Sequence, residues 1–244
     1  DEFLAHVTRP SVDFGLDINR CDFVSTHAYP SDLEFLDAAS GSVQLRNSNI
    51  MRELFAQVRR KVSAVLGEGV PVICGEWNSS AGPLAFNHDE CNNAAFIGKT
   101  MTDLAEVVQG AMYWNLSDIY EECDFHHEPF HGGYGLLTVN DLPKASYHAF
   151  RLLAGHAGQR VALRWPAASP GLGGYASYDQ QTLRVTLFNC REPDQPATAA
   201  SFPLAALLAV GGKVVRVTRI MPGHGSAYET WVEAGRPSFA NREL

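Results

Sequence analysis

Glu76 closes the run Val72-Ile-Cys-Gly-Glu76, so its carboxylate is launched from a segment that holds no other charge, with Trp77 and Asn78 directly after it. Two further apolar runs end in polar or aromatic groups: one in His27 and Tyr29, the other in Trp114 with Asn115, Asp118, Glu121 and Glu122. A carboxylate so placed can attack an electrophilic carbon or act as a general base. The alternative is a structural ion pair, which also puts charge near clefts. Taken singly, His27 reads as a satisfied structural histidine, Tyr113 and Trp114 as core, and Glu121-Glu122 as a solvated acidic turn. His126, His127, His131, Glu121, Glu122 and Cys123 offer metal-ligand types in one short stretch, but their spacing fits no zinc pattern. No metal and no cofactor is therefore expected.

The elements that must position these groups are legible as alternating short apolar runs and helical patterns over residues 1–155, the signature of βα units on a parallel sheet. Strands are expected at 21–27, 70–76 and 109–114. Between the first two, Ile50, Leu54, Val58, Val62 and Val65 recur at helical spacing, closed by Gly67. Residues 92–108 repeat the pattern, and a last helix is expected to open at Asp141 and stop at Gly155. Beyond Gly155 the period changes to two in 182–188, with similar runs at 173–178 and 213–220, so residues 156–244 read as a small antiparallel β-domain.

The 244 residues are 45% hydrophobic and 19% charged, as in ordinary globular proteins. The net charge of −8 and the absence of a long basic cluster argue against nucleic acid. No apolar run is long enough to cross a bilayer as a helix. Five widely spaced cysteines resemble neither a disulfide framework nor a metal site and read as reduced thiols, which points to a cytoplasmic protein.

Five motifs in order then carry a resemblance: Asp22-Phe-Val-Ser-Thr-His-Ala-Tyr-Pro30; Cys74-Gly-Glu-Trp-Asn-Ser-Ser80; His88-Asp89 with residues 92–96; Tyr113-Trp-Asn-Leu-Ser-Asp-Ile-Tyr-Glu-Glu122; and Phe130-His-Gly-Gly-Tyr-Gly-Leu136. Together they resemble the β-xylosidases of glycoside hydrolase family 39. Residues 225–237, with Trp231, are similar to that family's C-terminal β-region. The resemblance implies an α/β fold, the C-terminal part of a (β/α)8 TIM barrel (1–155) followed by a small antiparallel, sandwich-like accessory domain (156–244). It implies that Glu76 is the nucleophile of a retaining glycosidase, and that His27, Tyr29, Trp77, Trp114, Glu121, Glu122, Phe130 and His131 line the sugar site. The substrate would be a β-xyloside or xylo-oligosaccharide, cut at its non-reducing end.

The pattern also breaks. Residues 1–7 look like the helix before the sixth barrel strand, so the first barrel half is missing. With it goes the acid/base, which the family carries in an Asn-Glu-Pro type motif; no Asn-Glu pair occurs in the chain. Glu128, in His127-Glu-Pro129, lies after the last barrel strand, where the family has no proton donor. Retention needs two carboxyl groups roughly 5 Å apart, and three strands cannot close a barrel. The expected partner is therefore an N-terminal barrel half, on a longer chain or a second one, and a homo-oligomer is compatible with the open sheet edge. The competing expectation is a non-catalytic, sugar-binding fragment.

Overall fold

Two small sheets share one helical layer. The structure, a computed structural model, describes residues 2–8, 21–30, 49–120, 126–165, 171–190 and 216–238. In chain order the elements are α1 (Glu2–Val7), β1 (Val24–His27), α2 (Ile50–Leu66), β2 (Val72–Trp77), a 3-10 turn (Phe86–His88), α3 (Asn92–Leu104), β3 (Gly110–Tyr113), α4 (Ala145–Ala154), β4 (Gln159–Val161), β5 (Leu172–Tyr178), β6 (Leu183–Asn189) and α5 (Ala227–Glu233). The first three strands form a parallel sheet in the order β1-β2-β3. Parallel neighbours require crossovers, and α2 and α3 supply them.

The main core lies between this sheet and its helices. Val24, Val72, Cys74 and Trp77 from the strands meet Met51, Phe55, Val62, Phe96, Ile97 and Leu104 from α2 and α3. Each large side chain buried there contributes about 1.5–3 kcal/mol. The face of α2 is rotated slightly from the expected one: Met51, Phe55 and Val62 are buried, whereas Val65 is exposed. An i, i+4 ridge starting at Met51 places the larger Phe55 inward, so it displaces the stripe through Ile50 and Leu54.

The second sheet, β4-β5-β6, is antiparallel and packs on α3. A β-carbon on Gly98 of α3 would lie 3.0 Å from the Phe188 ring, so the missing side chain admits that aromatic.

Three expected elements differ. The helix expected at Asp141 begins at Ala145, because Asp141 has φ 65° and Pro143 disfavours helical backbone in the residue before it. Residues 216–220 are not a strand, and 213–215 of that expected strand lie outside the described residues. Residues 227–233 are helix rather than β-structure. There Tyr228, Trp231 and Val232, at i, i+3 and i+4, lay one apolar face against Phe130 and Leu142. Among the described residues, no helix is long and apolar enough to cross a membrane.

Candidate functional site

The geometry around Glu76 is set by one extra residue in β2. Thr26 pairs with Cys74, but the next residue of β1, His27, pairs with Glu76. On the other side Cys74 pairs with Ala111, and Trp77 with Tyr113, so three steps on β2 match two on β3. Simple alternation would send Glu76 to the same face as Val72 and Cys74, toward the helices. The bulge reverses the phase: Trp77 goes into the helical core and Glu76 to the opposite face. Bulges that re-aim a side chain recur beside active sites.

Gly75 makes this possible. A β-carbon there would stand 2.4 Å from Ser25 Oγ and 3.4 Å from the His27 ring. With none, His27 Nδ1 approaches to 3.7 Å from Glu76 Oε1. Tyr29, two residues on, donates its hydroxyl to the same oxygen at 2.5 Å. Among the described residues both contacts fall on Oε1, and Oε2 takes no hydrogen bond. The Glu76 side chain is 22% exposed and that of His27 59%. The carboxylate is thus held through one oxygen and stays partly exposed.

Beneath it Cys74 is inert: burial pushes its thiol up to about 12. Cys21, Cys74 and Cys91 are free thiols.

The other expected site residues divide sharply. Trp77 does not wall the site. It is 0% exposed and packs on Phe96, Tyr113 and Phe150, because adjacent residues of a strand point to opposite faces. Phe130 is also fully buried, against Tyr228 and Trp231, and so cannot touch a ligand. Trp114, joined to Asn115 by a cis peptide bond, is half-buried at the end of β3, its ring edge-on to Tyr120. His131 keeps little exposure; its Nδ1 is 3.1 Å from the Glu128 carbonyl, and its ring stacks on His126. Glu121 and Glu122 lie outside the described residues. Among those residues no cluster of three metal-ligating groups occurs.

Two supports had no role assigned to them from the sequence. Asn78, fully buried, ties the strand ends together. Its Nδ2 donates to the carbonyls of Trp114 (2.5 Å) and Tyr134 (3.2 Å), while Oδ1 accepts from Ser79 N–H and from the Tyr113 hydroxyl. Burial holds that phenol up at about 12, so it stays a donor. The second support is an ionic cluster, Asp89–Lys144–Asp118, entirely out of water. Asp89 and Asp118 stood in the motifs, but nothing in the spacing marked Lys144. Beside Asp89, His88 Nδ1 lies 2.9 Å from the Gly132 carbonyl, and burial lowers this imidazole to about 4.

The sequence model of "Glycosyl hydrolases family 39" matches residues 2–244. A β-xylosidase of Caldicellulosiruptor saccharolyticus is 33% identical over 230 residues, 91% of this chain and 45% of that protein. One from Geobacillus stearothermophilus is 25% identical, over 91% of this chain and 44% of its own length. The crystal structure of a monomeric β-xylosidase from Caulobacter crescentus CB15 superposes with a TM-score of 0.74 at 25% identity, covering 99% of this chain and 50% of that one. The chain thus spans about half the length of the curated relatives it matches.

Proposed function

The chain belongs to glycosyl hydrolase family 39, and on that premise we propose that it carries the nucleophile side of a retaining β-xylosidase, releasing xylose from the non-reducing ends of β-xylosides or xylo-oligosaccharides. The observation that carries this reading is the Tyr29–Glu76 hydrogen bond at the bulged end of β2. In a double displacement, Glu76 attacks the anomeric carbon as the glycosidic C–O bond breaks and the aglycone leaves with a proton from the second carboxyl group; water then attacks the same carbon and releases Glu76, with net retention. Tyr29 keeps Oε1 turned away from the sugar, so Oε2 faces it. His27, projecting beside Glu76, supplies a hydrogen-bonding group to the ring hydroxyls, and Trp114 an apolar surface for the C–H face. Glu121 and Glu122 are kept as hydroxyl acceptors on the strength of the family resemblance.

The proton donor is assigned to the part of the protein that the relatives possess and this chain does not span. Two features support the same assignment. Among the described residues no other carboxylate joins Glu76 and Tyr29, and β1 and β3 are the edges of their sheet, with Phe23 just before β1 and Met112 within β3 exposed. A barrel half completing the ring would cover those edges and bring in the second carboxyl group.

The test is hydrolysis of an activated aryl β-xyloside by this chain, with and without the N-terminal half, together with trapping by a 2-fluoro-xyloside. The expected result is turnover with the half present and a covalent label on Glu76. Turnover that survives Glu76→Gln would sink the assignment. Xylose binding with neither turnover nor label would favour the non-catalytic, sugar-binding reading, which the absence of any Asn-Glu pair motivates.

A further inference from the structure

The Lys144 ammonium sits where the chain enters α4 and makes three contacts: Asp89 Oδ1 at 2.5 Å, Asp118 Oδ2 at 2.6 Å and the Gly133 carbonyl at 2.9 Å. The Gly133 carbonyl accepts a hydrogen bond from it, and the two carboxylates pair with it as ions. The remaining carboxylate oxygens point at the same short segment. Asp89 Oδ2 accepts from Gly132 N–H at 2.6 Å, and Asp118 Oδ1 from Gly135 N–H at 2.7 Å. All three side chains are 0% exposed. Burial by itself would lower Lys144, but the two facing carboxylates outweigh it and raise it, so the cation persists.

A buried cluster of two anions and one cation is a costly way to gain stability, since an apolar replacement of the same shape often serves as well. What it fixes is geometry. The segment it grips is Gly132-Gly-Tyr-Gly135, whose three glycine positions leave no room for a side chain. β-Carbons on Gly132, Gly133 and Gly135 would fall 2.5 Å from Leu84 C, 2.4 Å from Asp118 Oδ1 and 2.4 Å from Asp118 N. The same segment holds the end of β3. The Tyr134 carbonyl accepts from both Asn115 N–H and Asn78 Nδ2, and that Asn78 nitrogen also binds the Trp114 carbonyl. His131 is covalently next to Gly132.

We propose that Lys144 is a positioning residue for sugar binding. Through Asp89, Asp118 and the Gly132–Gly135 segment it fixes Trp114 and His131 relative to Glu76, so that the wall of the xylose pocket is preset before substrate arrives. This rests on the xylosidase reading for its ligand, although the clamp itself is a property of the chain.

The test compares Asp118→Asn and Lys144→Met in the polypeptide as its gene encodes it. Asp118→Asn keeps an oxygen for Gly135 N–H and the Lys144–Asp89 pair, but turns an amide donor toward the ammonium. It is expected to stay folded, to raise KM for an aryl β-xyloside about tenfold with kcat changed less than threefold, and to speed amide exchange at Gly132 and Gly135. Lys144→Met strands two carboxylates and should show the larger effect or fail to fold. A folded Asp118→Asn protein with wild-type KM and wild-type exchange at those glycines overturns the proposal, as does a lowered melting temperature with KM unchanged. If the unmutated protein cleaves no xyloside, the xylosidase reading has failed; the exchange at Gly132 and Gly135 then decides the clamp alone.

Discussion

Tyr29 and Glu76 meet through a single hydrogen bond of 2.5 Å, in which the phenol donates to Oε1. A hydrogen bond to a charged acceptor is worth roughly 1.5–3 kcal/mol. On the proposed mechanism that energy holds the nucleophile in its attacking orientation. Replacing Tyr29 with Phe should therefore lower kcat/KM about 10- to 100-fold, while Glu76 still accepts a fluoro-sugar label, only more slowly. Labelling kinetics measure this directly, and an unchanged rate would show that Tyr29 contributes no orientation.

The two strand-end tryptophans should behave oppositely. Trp77 is fully buried among Phe96, Tyr113 and Phe150, so Trp77→Ala should cost about 3–5 kcal/mol in a urea titration. Trp114 is half-buried beside Tyr120. Its replacement by Ala should lower stability far less and raise KM for a xyloside by roughly tenfold, the effect of losing an apolar contact of about 1.4 kcal/mol. A large KM effect at Trp77 with intact stability would reverse this assignment.

Gly75 gives a third expectation. In Gly75→Ala the new methyl meets Ser25 Oγ at 2.4 Å and the His27 ring at 3.4 Å. Ser25 is exposed and its hydroxyl can rotate, so stability should fall only about 1 kcal/mol, while kcat/KM drops as His27 is displaced. Adding Ser25→Ala removes the closer contact and should restore part of both. A double-mutant cycle reads the coupling between the two sites; strict additivity would mean that the crowding at Gly75 is not felt through Ser25.

These residues also show what the sequence could and could not reveal. Polar groups at the ends of apolar runs located β1, β2 and β3 and singled out Glu76, His27 and Tyr29, because a strand's period and its terminal side chains are local properties. Trp77 was misjudged because proximity in sequence is not proximity on a face, and the bulge that settles its direction is visible only in pairing registers. Phe130 was misjudged because its cover, Tyr228 and Trp231, comes from a helix about a hundred residues away. Lys144 carried no local signal at all: a lysine after a proline reads as a solvated helix start until Asp89 and Asp118 are brought to it from two other loops.

His88 sets an expectation for pH. Burial lowers its imidazole from the ordinary value near 6.5 to about 4, with Lys144 adding to the fall, while the Gly132 and Ser80 backbones and Asp118 oppose it. Between those two values the unfolded chain holds a proton that the folded chain refuses, so stability rises with pH across the window. The contribution is present in full above about pH 6.5 and is lost as pH falls toward 4, by about 2 kcal/mol between pH 7 and pH 5. His88→Asn keeps an uncharged side chain with a donor for the Gly132 carbonyl and cannot be protonated in this range. Urea midpoints of both proteins at pH 7 and pH 5 isolate the effect. The wild type should lose about 2 kcal/mol more than the variant over that interval, and equal losses would mean that His88 is not the group being titrated.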